Sequence, residues 1–446
     1  MKLKRIFFYA ISITALTACK PEIVAPDVSL GDVDPSRYVA IGSTGTSGYA
    51  DDALHNNGQS NSYAAILAKQ FSLVSDNTFN QPFVSATSVG VNLKEQSRLV
   101  LGYKTDCNLE TSLSPVREAL LGDLTILGTN IYSGTPFNNL GVPNLSILDV
   151  NNSGYGNPAN GPGNYNPYYA RSTSDQINGS ILSDATIQDP SFFTLELGEG
   201  DIMNYALSGG ESALPPNATG PAGTGFDGSL DEIIIAMKAS GANGAIANIP
   251  DVMAYPYFTT IPYNGLDLDA ANNVTLNNFY NPIGIFFQEG DNPFVMEDPS
   301  EPFLVRKMLP GELILLGVPL DSIKCYGMGS VLPIPAKYIL SLDEIAIIET
   351  YTIEYNNVIA AAAQSNNLAF VDANSLFNSL NSGIVYNGVS MSSEFITGGA
   401  FSLDGRNLNP IGQALLANKY IESINLKFNA SIPYANVIGY SGIIFP

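Results

Sequence analysis

The run RYVAIGSTGTSGYADDALHNNGQSNSYAAILAKQF, residues 37–71, constrains the fold most strongly. Arg37 to Ile41 is a short apolar stretch without alternation, as a strand buried on both faces requires. It stops at Gly42, and a turn rich in glycine and hydroxyl residues follows. From Asn61 to Phe71 the apolar residues then recur at helical spacing. The same order returns further along. Phe192–Leu197 (FFTLEL) predicts a buried strand ending at Gly198, Leu230–Ala239 a helix, and Gly244–Val252 a strand. Leu342–Ala363 predicts a long helix, Leu368–Asp372 a strand, and Ile411–Asn425 a closing amphipathic helix. Strands alternating with helices predict an α/β chain, a three-layer α/β/α sandwich with a mostly parallel central sheet.

The 446 residues suit one large domain, residues 37–446, carrying long insertions. Three segments between the periodic elements read as such insertions. They are 151–169 (NNSGYGNPANGPGNYNPYY), 208–229, and 255–337, which is rich in Pro, Phe, Tyr and Asn. Loops of that length usually carry function. No internal repeat is visible.

The first residues read as an address. MKLKR is basic, IFFYAISITALTA is apolar but shorter than a membrane span, and Leu16-Thr17-Ala18-Cys19 has the small residues and thiol of a lipoprotein cleavage site. Residues 1–18 are therefore expected to be a lipoprotein signal peptide, with Cys19 the acylated residue, palmitate among its chains, anchoring the protein in a membrane. Residues 19–36, rich in Pro and Asp, read as a flexible tether. Cys107 and Cys325 remain, and an oxidising envelope permits a disulfide between them without requiring it. With 19 Lys and Arg against 41 Asp and Glu, the net charge is −22, which excludes nucleic acid as an expected partner.

Several stretches in order resemble the GDSL, or SGNH, hydrolase family, in particular its long lipoprotein members of the Bacteroidetes type. They are YVAIGSTGTSGYADDAL, NLGVPNLSILD, DPSFFTLELGEGDIMNYALSGG, GAIANIPDVMAYPYFTTIPYN, LAFVDAN and FSLDGRNLNPIGQALLANKYI, together spanning most of 38–425. The resemblance implies a flavodoxin-like arrangement of the sheet. It also implies a site built from a nucleophilic Ser in G-D-S-L, a Gly and an Asn (in G-x-N-D) that form an oxyanion hole, and a His base oriented by Asp in D-x-x-H.

The matching positions here are altered. Gly42-Ser43-Thr44-Gly45 places Thr44 where the nucleophile belongs, and Gly141 matches the glycine of the hole. Gly198-Glu199-Gly200-Asp201 puts Gly200 where the oxyanion Asn belongs. Asp404-Gly405-Arg406-Asn407 keeps Asp404 but sets Asn407 in place of the base. An amide has no nitrogen that accepts a proton. Losing a base costs about 10²–10⁴ in rate, and losing an oxyanion donor about 10²–10³ more. The single histidine, His55, reads as an exposed loop residue, its service as a base for Thr44 being the sharper alternative.

Nothing else supplies chemistry. No Cys/His cluster has metal spacing, GSTGTSG lacks the lysine of a phosphate loop, and no cofactor motif is present. Asp267, Asp269 and Asp291 lie in Asn-containing loops without calcium-ligand spacing. The acidic pairs in SLDEIIIAM and SLDEIAIIE read as favourable charge at helix starts. The expectation is a non-catalytic, SGNH-like outer-membrane lipoprotein facing the cell surface. It would act as scaffold or accessory subunit beside an outer-membrane β-barrel in transport, assembly or secretion. The alternatives are a lipid, acyl or glycan binder using the vestigial cleft, and an esterase that still uses Thr44. An open apolar cavity beside Thr44 would favour the binder, a filled one the scaffold.

Overall fold

The computed structural model describes residues 28–446. The expected signal peptide, Cys19 and the first part of the tether lie outside the described residues. Five strands form the central sheet: β1 (Tyr38–Gly42), β2 (Asn139–Gly141), β3 (Phe192–Glu196), β4 (Asn243–Ala247) and β5 (Ala369–Val371). They pair in the order β5-β4-β3-β1-β2, every pair parallel. That is the flavodoxin-like order, with its topological switch between β1 and β3. Every residue of β1 and of β3 is buried, which is why the sequence runs apolar there without alternation.

Helices cover both faces. On one, α2 (Tyr63–Phe71) packs against α6 (Pro410–Phe428), with the rings of Tyr63 and Tyr420 stacked at 4.4 Å. On the other, α5 (Leu342–Ser365) packs on α4 (Phe226–Lys238), with Phe226 and Tyr355 stacked at 3.8 Å. A capping box of Ser341 and Glu344 starts α5, so the acidic pair there has the role expected of it. The pair Asp231–Glu232 does not. Helix α4 begins at Phe226, four residues earlier than predicted, and puts that pair in its second turn.

Other boundaries also moved. Strand β4 ends at Ala247 rather than 252, because Pro250 has no N–H to give a ladder and Asp251 caps the turn Val252–Ala254. The described part of the expected tether is packed. Val33 is buried, Asp32 donates its N–H to the carbonyl of Phe428, and Gly31, at φ 53°, lies so close to that carbonyl that a Cβ would come within 2.2 Å of it. Residues 29–32 thus lie against the end of α6, and Asp34 and Ser36 against Ser191.

The insertion 255–337 is less irregular than its sequence reads. It holds a helix, Ala270–Tyr280, capped by Asp269, several ladders of two or three residues, and two small apolar clusters around Phe294 and Phe287. Strands so short show no period. A hairpin of Leu99–Thr105 with Thr111–Arg117, which the sequence reading passed over, projects from the sandwich with its tip exposed. Cys107 in that tip is bonded to Cys325, at the end of the helix Leu320–Cys325. Among the described residues no helix is long and apolar enough to cross a membrane.

Candidate functional site

The carboxyl ends of β1 and β3 meet at the switch point, and Thr44 stands there at the start of the one-turn helix α1 (Thr44–Ser47). Two glycines of the turn are there for space. A Cβ on Gly42 would lie 2.1 Å from Thr46 Oγ1, and one on Gly45 would lie 2.4 Å from Glu196 Oε1. Glu196, the last residue of β3, turns its carboxyl under the turn. Its Oε2 accepts from the N–H and the hydroxyl of Thr46, each at 2.6 Å. The Thr44 hydroxyl is half-buried and engaged. It accepts the N–H of Asn144 at 3.3 Å and lies 3.3 Å from the hydroxyl of Ser43.

The two positions matched to oxyanion donors are both committed to packing. The N–H of Gly141 goes to Oδ1 of Asn139 at 3.0 Å, and a Cβ at 141 would meet the backbone N of Ser47 at 2.2 Å. At Gly200, near the start of α3 (Glu199–Leu207), a Cβ would come within 2.2 Å of the carbonyl of Leu145. The backbone of 144–145 fills the place where an Asn side chain would have to stand. Asp201 holds that segment down. Its Oδ1 accepts from Ser146 Oγ at 2.5 Å, and its Oδ2 accepts the N–H of Ile147 at 3.0 Å.

Asp404 and Asn407 retain a dyad. Asn407 Nδ2 donates to Asp404 Oδ2 at 2.8 Å, and Asp404 also accepts the backbone N–H groups of Asp52, Arg406 and Asn407. Asn407 and Thr44 line one cavity together with Glu196 and Glu199. That cavity has about 30 Å³, the room of a single water. Phe377, Ile249, Leu408 and Leu416 also line it. The structure thus brings Thr44 and Asn407 to one small hollow, with Gly141 and Gly200 packed behind it.

Sequence reasoning missed the buried carboxylates. Glu196 and Glu199 face one another across the hollow, and Tyr255 OH donates to Glu199 Oε1 at 2.8 Å. Burial raises both carboxyls above the usual carboxylate range, and the charge of Glu199 raises Glu196 further. Burial pushes Asp201 up to about 7 against the hydrogen bonds from Ser146 and Ile147. The available signal was the run ELGEGD, three carboxylates at the end of a strand whose neighbours are all buried.

His55 is not an exposed loop residue. It is 1 % exposed, and its Nδ1 accepts the N–H of Gly58 as the N-cap of the helix Asn56–Ser60. Its Nε2 faces Asp51 Oδ2 at 3.6 Å. Although that contact would favour a charge, burial, with help from Arg98, holds the imidazole down to about 4, so it is neutral at pH 7. It does not line the hollow that contains Thr44. Among the described residues no group of three or more His, Cys, Asp or Glu is placed to hold a metal ion.

No protein-family model matches the chain, and no curated protein matches it. Among solved structures it is similar to a crystal structure from Parabacteroides merdae described as a GDSL-like lipase. The two are 9% identical at a TM-score of 0.32, over 88% of this chain and 98% of that one. At that level of likeness no residue role is carried from one chain to the other.

Proposed function

We propose that the protein is a non-hydrolytic member of the SGNH-like group, anchored through Cys19, that serves as an accessory or scaffold subunit beside an outer-membrane β-barrel. The observation that carries the non-hydrolytic part is the packing at Gly200. The backbone carbonyl of Leu145 occupies the place of an oxyanion side chain, so the hole is closed as well as short of a donor. Two further features support it. The position of the base holds an amide bonded to Asp404, and the hollow beside Thr44 is filled to the size of one water. A filled hollow favours a scaffold over an acyl binder at that spot. The anchored, surface-facing and barrel-associated parts rest on the sequence of residues 1–36 and on the family resemblance.

Two measurements test it. The tagged lipoprotein is purified from its own outer membranes in mild detergent, and its companions are identified with their stoichiometry. A stoichiometric barrel supports the reading, whereas isolation as a lone chain removes the subunit role. Hydrolysis of a short acyl ester by the purified protein, abolished by Thr44→Ala, would overturn the non-hydrolytic part.

A further inference from the structure

A much larger cavity lies elsewhere. A cleft of about 620 Å³ opens between the sandwich, the projecting hairpin and the insertion that begins at 255. Thr44 and Asn407 do not line it. Its volume falls in the range of sites that enclose a drug-sized ligand, about 300–1,000 Å³.

Its charge runs against that of the whole chain. Lys94, Lys104, Arg117 and Arg406 line it, against only Asp52 and Asp404, in a protein of net charge −22. A cationic cleft in an acidic molecule focuses anions where the rest of the surface repels them. Asp52 is consumed internally. It accepts Arg117 Nη2 at 2.5 Å, Arg406 Nη2 at 2.9 Å and Asn92 Nδ2 at 2.9 Å. The backbone is strained to place it there, since Asp51 and Asp52 both sit at positive φ, 53° and 54°. Strain of this kind persists where the surroundings enforce it and collects at functional sites.

One carboxylate thus orients two guanidiniums without exhausting them. Among the described contacts, Arg406 gives only Nη2 to a hydrogen bond, while its guanidinium lies over the Tyr49 ring at 5.9 Å from the centroid. Lys94 is exposed at the rim and makes no ion pair among the described residues. The side-chain amides of Gln96 (through Nε2) and Asn144 reach the same cleft without donating within the protein, and the half-buried rings of Tyr257 and Phe395 supply flat apolar faces. The two walls are joined covalently. The hairpin carries Lys104, the facing helix starts at Leu320, and the Cys107–Cys325 bond links them, beside the ion pairs Lys104–Asp321 and Lys324–Asp106. A cleft held open in this way loses little order on binding.

We propose that this cleft binds an acidic saccharide. Its carboxylate would be taken by Arg406 and Lys94, its hydroxyls by Gln96 and Asn144, and its ring face by Tyr257 or Phe395. An acyl chain would need a continuous apolar lining, and four cations interrupt it. A polyphosphate would call for more than the small positive surplus, one charge once the Lys104–Asp321 pair is set aside. The inference stands apart from the accessory-subunit reading and does not need it.

The test is isothermal titration of the intact detergent-solubilised protein with oligomers of galacturonate, glucuronate and mannuronate, beside neutral galactose oligomers of matched length. At least one uronate series binds with a Kd tighter than about 1 mM, binding weakens as salt is raised, and the neutral series does not bind. Arg406→Gln lowers affinity about tenfold or more, as loss of a charge-assisted hydrogen bond does. Lys94→Gln, at an exposed position that leaves the fold undisturbed, lowers it about threefold or more. The proposal is overturned if neutral oligomers bind as tightly as uronates, if no uronate series binds, or if Lys94→Gln and Arg406→Gln both bind like the parent.

Discussion

Asn407 donates its side-chain amide to Asp404, Nδ2 to Oδ2 at 2.8 Å, the contact an oriented imidazole would make at the same place. The bond that aligns a base is present, and the group it aligns cannot take a proton. Asp404 also has a structural role, since its carboxylate accepts three backbone N–H groups that fold the 402–407 loop onto the turn at Asp52.

On the non-hydrolytic reading, a histidine at 407 alone is expected to give no esterase. Asn407→His is expected to fold, because residue 407 is half-buried at the edge of the hollow, and to show no hydrolysis of short acyl esters above the parent. A rise of a hundredfold or more, the usual order for a working general base, would contradict this.

Gly200→Asn is expected to destabilise the protein rather than rebuild an oxyanion hole. The new Cβ would start 2.2 Å from the Leu145 carbonyl, on backbone that Asp201 pins through Ser146 and Ile147. Overpacking of this sort costs ~1–3 kcal/mol, sometimes more. The midpoint of urea unfolding measures it, and an unchanged midpoint would show that the segment yields.

The Glu196–Glu199 pair makes stability fall as pH rises. Both carboxyls are raised in the fold, so the folded state holds protons that the unfolded chain has released above about pH 4.5. Asp51 and Asp201, each raised to about 7, act in the same direction. Between pH 6.5 and 8 His55 is neutral in the fold and the unfolded chain releases only the last half of its proton, so the carboxyls dominate the slope there, at up to ~1.4 kcal/mol per pH unit for each proton released. Glu196→Gln should flatten it. Melting temperatures at pH 6.5 and 8 that drop equally in parent and variant would rule this out.

His55 works in the opposite sense at lower pH. It is held to about 4 in the fold, against about 6.5 unfolded, so the unfolded chain gains a proton that the fold refuses and stability is lost as pH falls from 6.5 to 4. Asn is also a good N-cap. His55→Asn should keep the helix Asn56–Ser60 and remove part of this acid sensitivity, as read by unfolding at pH 6.5 and 4.5.

Cys107 and Cys325 close a loop across 218 residues of separation. By chain entropy such a link stabilises by ~5 kcal/mol, and measured effects more often run ~2–4. The double variant Cys107→Ser/Cys325→Ser should unfold at lower urea by a corresponding amount. Equal midpoints with and without reductant in the parent would mean that the bond adds nothing.

The strands and helices of the sandwich were legible because each is a local pattern, an unbroken apolar run or a helical period, bounded by glycine. The positions of the family resemblance are of another kind, since they were matched motif by motif and not read from a period. Local pattern failed where burial was not local. His55 has loop neighbours in sequence yet is covered on all sides in space, and Glu196 reads as one more polar residue at a strand end until the turn above it is in place. The hairpin of residues 99–117 was illegible because its outer half is exposed and its inner half only partly buried, so no alternation marks it.

By itself the sequence determined the layered α/β class and the lone histidine, since residue identity and spacing suffice for each, while the matching of Asn407 and Gly200 to a base and an oxyanion donor rests on the family resemblance. Only the tertiary structure decided that no side chain fits at 200, that the hollow beside Thr44 holds about one water, and that Asp52, Arg117 and Arg406 meet in a larger cleft. Those are facts about volume and about contacts between residues tens to hundreds of positions apart. Sequence period carries neither, because packing is settled only when distant segments close on one another.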